Sequence, residues 1–183
     1  MPSSTTTITS ILPSPLSLQL RTTLLPLLPL ITSTGTLTYA YAETLFLTPL
    51  ADDGEQHRVP EPVIRTVWQR VFYPGLGAIL TFGAGSLVGG VAGYRMSIAT
   101  AGKGKDMAAV LYASGTALAM VHFGFVPWIA KTIEAMIDPT DEKSNRKREN
   151  QKRWLELHRV RTLVSDIPAF VAFLGATSAY FLA

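Results

Sequence analysis

Cysteine is absent from this chain of 183 residues. That removes disulfide frameworks, thiolate metal sites and cysteine nucleophiles, and leaves the redox compartment undetermined. Histidine is scarce: His57, His122 and His158 fall on separate segments, and none stands four residues from another. No zinc or haem ligand set is recognisable in that pattern, so neither a metal site nor haem is expected. The first twenty positions hold no lysine or arginine. A secretory leader opens with positive charge, so the Ser-, Thr- and Pro-rich stretch 1–22 reads as a flexible N-terminal tail. The 16 Lys and Arg residues are clustered, and their main block has no aromatic interleaving beyond Trp154. That argues against nucleic acid as a partner.

What is abundant is apolar. With 48% hydrophobic residues and a mean hydropathy of +0.26, a membrane is the first environment to try. About 20 apolar residues cross a hydrocarbon core of about 30 Å, and runs of that kind occupy 24–50, 71–94, 107–133 and, more briefly, 166–183. The expected fold is all-α, an integral membrane four-helix bundle over 23–183. Gly85, Gly89 and Gly93 recur every fourth residue, a stripe that lets helices approach closely. No strand precedes these glycines and no polar loop surrounds them, so a phosphate-binding role fails. Gly124 and Pro127 mark a kink near the end of the third span. The aromatic, amphipathic segment 63–73 suits a membrane interface.

Four spans place loops 51–70 and 134–165 on one side; counting Lys131 at the end of the third span, twelve of the Lys and Arg residues lie on that side against four on the other. The richer side is expected to be cytosolic and both termini lumenal, in the endoplasmic reticulum or a related endomembrane. The unusual residues gather toward that side. Tyr39, Glu43 and Phe46 stand at i, i+4 and i+7 on the first span, and Trp154, His158 and Arg161 share a face by the same spacing. Glu43 and His122 lie at similar depth, where an ionisable group facing lipid costs several kcal/mol, of order 2.5–3.5 by insertion scales. They are therefore expected to face each other inside the bundle. Arg65, Trp68 and Trp154 also have a plainer reading as interfacial anchors.

The chain resembles the anthrone oxygenase family, small four-span membrane proteins of fungal polyketide pathways. The likeness runs from about position 34 to the end and rests on Thr34-Gly35, on Thr48-Pro49-Leu50, and on the run from Val67 through Trp68-Gln69-Arg70 to Tyr73 and Gly75. Val126-Pro127-Trp128, Pro139-Thr140, and Trp154 with His158 and Arg161 complete it. It departs from the family pattern at Asp141 and His158, where amides are usual. The resemblance implies a monooxygenase that converts an anthrone-like aromatic polyketide to a quinone with molecular oxygen and no cofactor. Its partners would be a hydrophobic small molecule, oxygen, the lipid membrane and other enzymes of the same pathway. His122 or His158 is then the general base, Arg161 or Arg65 holds the oxyanion, and Glu43 orients an imidazole or acts as base itself. Tyr39, Trp68, Tyr73 and Trp128 stack on a flat substrate, with Asp141 and Trp154 beside it. Two other readings remain: a non-oxidative cyclase or isomerase using Asp141 and His158, and a non-catalytic membrane scaffold.

Overall fold

The computed structural model describes residues 15–100, 102–139 and 146–182. Among the described residues there are helices and no strands: α1 (Pro15–Leu47), α2 (Glu61–Ala99), α3 (Lys103–Gly124), α4 (Val126–Ile137), α5 (Arg146–Arg161) and α6 (Ile167–Leu182). A 3-10 turn, Thr48–Ala51, follows α1, and a π turn, Thr162–Asp166, joins α5 to α6 without interrupting the helix. α3 and α4 meet at Phe125, between Gly124 and Pro127, because proline cannot supply the N–H that would continue α3. The result is four rods. α1 packs on α2 and α6, and α3 closes the ring against the same two helices.

The rods outrun the expected spans. α2 begins at Glu61, with Pro60 and Pro62 setting its first turn, so the aromatic interfacial segment is the start of the second rod and not a separate element. α5 turns the end of the 134–165 connection into helix: its buried residues include Gln151, Trp154, Leu155, His158 and Arg161. α1 starts at Pro15, inside the stretch read as tail.

Three helices among the described residues are long and apolar enough to cross a membrane: Glu61–Ala99, Gly104–Ile137 and Arg146–Leu182. α1 is not one of them, since threonines interrupt its apolar run. Those threonines turn back on their own helix. Thr32, Thr36 and Thr44 donate to the carbonyls of Leu28, Thr32 and Ala40 at 2.9, 3.1 and 3.0 Å, which satisfies the hydroxyls within the helix; Thr32 Oγ1 also meets Ser86 Oγ of α2 at 2.9 Å.

The glycine stripe of α2 meets two neighbours. A Cβ on Gly89 would stand 2.5 Å from Pro29 Cδ of α1, and one on Gly93 would stand 2.7 Å from the Tyr112 ring of α3. Tyr112 donates to the Pro26 carbonyl at 2.8 Å, tying α3 to α1. This half of the bundle, with Ala108, Ala169, Phe173 and Ala176, is closely packed. The other half, nearer the 52–60 connection and the end of α4, holds the cavity.

Candidate functional site

All four rods contribute to one cavity of about 390 Å³. α2 supplies Trp68, Phe72 and Gly75, α4 supplies Ile129 and Ile133, and α1 supplies Tyr39 and Glu43. Gly75 is required by close approach: a Cβ there would fall 2.5 Å from the Tyr39 hydroxyl oxygen. The walls are apolar except for Tyr39, Glu43, His122 and Arg161, with the indoles of Trp68 and Trp154 above.

Toward the connections the cavity is roofed. Leu47, Trp68, Ile133 and Trp154 are buried together with Leu50, Ile64, Met136 and Leu155. The two indoles meet edge to face with centroids 4.9 Å apart. Gln151 locks this roof, accepting from Trp68 Nε1 at 2.6 Å and donating to the Leu47 carbonyl at 2.9 Å. Outside it, Arg148 lies buried beside Glu61 at 3.4 Å and donates to the Val59 carbonyl.

The polar groups form one connected cluster. His122 Nδ1 lies 2.7 Å from Asp166 Oδ1, so the imidazole donates from Nδ1 and keeps Nε2 as its accepting nitrogen. Asp166 Oδ2 lies 3.4 Å from Arg161 Nε. Arg161 Nη2 donates to His158 Nδ1 at 2.9 Å, and His158 Nε2 donates to the Ala40 carbonyl at 3.0 Å. Glu43 Oε2 approaches His158 Nδ1 and Arg161 Nη2 at 3.6 and 3.9 Å but has no hydrogen-bond partner among the described residues. One permanent cation is thus set between two carboxyl groups.

This arrangement corrects the expected pairing. Glu43 and His122 line the same cavity, but the partner of His122 is Asp166, and Glu43 sits by Arg161 and His158. The π turn is the reason. At 3.6 residues per turn Asp166 would lie about 140° around the helix from Arg161; the wider turn brings the two side chains together. Helical periodicity read from sequence puts Asp166 in the same half of the bundle, as a carboxylate in the first turn of an apolar span, but not beside Arg161 and His122.

His158 is not a base facing the cavity. Both its ring nitrogens are engaged, and its ring stacks on Trp154 at 4.8 Å and 11°, so the shared face of Trp154, His158 and Arg161 is realised as a supporting wall. Arg65 does not line the cavity, and the roof above it is aromatic and aliphatic, not positive. Tyr73 and Trp128 point outward, 75% and 55% exposed, because their neighbours Phe72 and Ile129 take the inner face. Asp141 lies outside the described residues. The chain matches no family model, no curated protein and no solved structure.

Proposed function

We propose that the chain is a four-span membrane oxygenase, with both termini lumenal, that converts an anthrone-like tricyclic aromatic to a quinone. The observation that carries this reading is the His122–Asp166 pair at the wall of an otherwise apolar, roofed cavity. An apolar slot suits a flat aromatic ligand, and an imidazole held by a carboxylate suits proton abstraction.

The chemistry needs little else from the protein. The methylene opposite the ketone of an anthrone is acidic because its carbanion is an aromatic enolate. His122 Nε2 takes one proton from that carbon, and Asp166 stabilises the imidazolium. Arg161, the one cation among the described lining residues, faces the enolate oxygen. The enolate passes one electron to oxygen, the two radicals combine into a C–O bond, and the peroxide anion collects the proton held by His122. His122 then removes the second proton of the same carbon while the O–O bond breaks, the carbonyl forms and hydroxide leaves with that proton as water. The sum is methylene plus O₂ giving carbonyl plus water. Glu43, unbonded beside Arg161, serves as a second proton holder.

The test is oxygen uptake by the purified protein in lipid nanodiscs supplied with anthrone. One O₂ consumed per quinone formed is expected, and His122→Ala should lower kcat by about 10²–10⁴, the usual share of a general base. Turnover of a related substrate without oxygen uptake would favour the non-oxidative reading, and no binding of any tricyclic would favour the scaffold.

A further inference from the structure

The cavity is closed toward the connections by the roof locked through Gln151, and away from them by packing such as Phe123 against Gly83. It must open somewhere else. Of the residues lining it, four are also exposed on the outside of the bundle: Phe46 of α1, Val71 and Leu76 of α2, and Val126 of α4. All four are apolar. None of the polar lining groups is exposed like these four: His122 and Arg161 are buried, the Glu43 side chain is 16% exposed, and Tyr39 is half-buried. A mouth that received its ligand from water would carry polar groups at its rim, since apolar rims there cost exposed surface. This rim would cost nothing against lipid tails.

We infer that the cavity opens sideways into the bilayer through a portal framed by Phe46, Val71, Leu76 and Val126, and that its ligand is drawn from the lipid phase. The inference rests on the membrane reading above but not on the oxygenase chemistry. Leu76 and Val126 fall well inside the second and third apolar runs, and Phe46 near the end of the first, so the portal sits at the level of the outer hydrocarbon. The ligand class follows: a neutral, poorly water-soluble molecule that partitions into membranes before it binds, such as the flat aromatic of the proposed function. A reaction that supplies it need only release it into the same leaflet.

The absence of cysteine makes the test direct, because a single introduced thiol is the only label site. Nitroxide attached to F46C, L76C or V126C in phosphatidylcholine bilayers should relax with dissolved oxygen and not with a water-soluble nickel chelate. V88C and L174C, exposed on α2 and α6 away from the cavity, report whether the rods lie in lipid at all. Portal labels reached by nickel while these controls are shielded would overturn the portal and leave the membrane reading standing. Controls reached by nickel would sink both. On the unlabelled protein, 9,10-anthraquinone should quench tryptophan fluorescence at a rate that follows its concentration in the bilayer. A rate that instead follows the aqueous concentration, with total quinone held constant and lipid varied, contradicts lateral access.

Discussion

Asp166 illustrates how one side chain sets the state of another. Its carboxylate holds His122 at Nδ1 and faces Arg161; on the proposed chemistry, Asp166→Asn should leave binding of the tricyclic ligand unchanged while lowering kcat by about tenfold or more, since the imidazole loses the group that stabilises its charged form. Equal kcat in the variant would remove the pair from the mechanism. Glu43→Gln should lower turnover without loss of fold, because Glu43 makes no hydrogen bond that folding depends on among the described residues. On the polar surface, Lys152 hydrogen-bonds Asp53 and holds its carboxyl below the usual value of 3.8. A depressed pKa means the contribution is complete above 3.8 and is lost as pH falls through the folded value. Both groups are exposed, so Asp53→Asn should change thermal stability little, and the difference should shrink in high salt.

At the scale of the helix, two glycines of α2 make opposite predictions. Gly77 has nothing within 4 Å of the place where a Cβ would sit, whereas Gly89 has Pro29 Cδ at 2.5 Å and Leu28 Cβ at 3.0 Å. Gly77→Ala should therefore stabilise the protein by about 0.5–1 kcal/mol through helix propensity. Gly89→Ala should destabilise it by about 1–3 kcal/mol, the usual cost of overpacking. Thermal unfolding in detergent measures both, and the same sign for the two would contradict the α1–α2 contact. Gln151 belongs to the same scale, because it joins α5, α2 and the end of α1. Gln151→Leu should cost about 1–3 kcal/mol by stranding the Trp68 N–H, and should loosen the cavity roof enough to raise ligand dissociation.

For the molecule as a whole, the ring of four rods puts the 52–60 connection, the end of α4 and the start of α5 at one end, beside the cavity, and the end of α2 with the start of α3 at the other. On the proposed four-span membrane reading, the Lys and Arg bias would put the cavity end on the cytosolic side. An N-terminal tag should resist protease in sealed microsomes with the cytosolic face outward and become sensitive only after detergent. Digestion before detergent would invert the topology.

Hydropathy and spacing were enough to read helices, their approximate number, the close-packing glycines and the end of the bundle where ionisable groups collect. Those features depend on neighbours along one helix, and a 3.6-residue period carries them. The face shared by Trp154, His158 and Arg161 was legible for the same reason. Tertiary structure alone decided that Asp166 and not Glu43 holds His122, that both nitrogens of His158 are spent on the wall, and that Tyr73 and Trp128 face outward. The first depends on a π turn that breaks the period, and the others on which face of each rod its neighbours leave open; neither is a property of residue order along one helix.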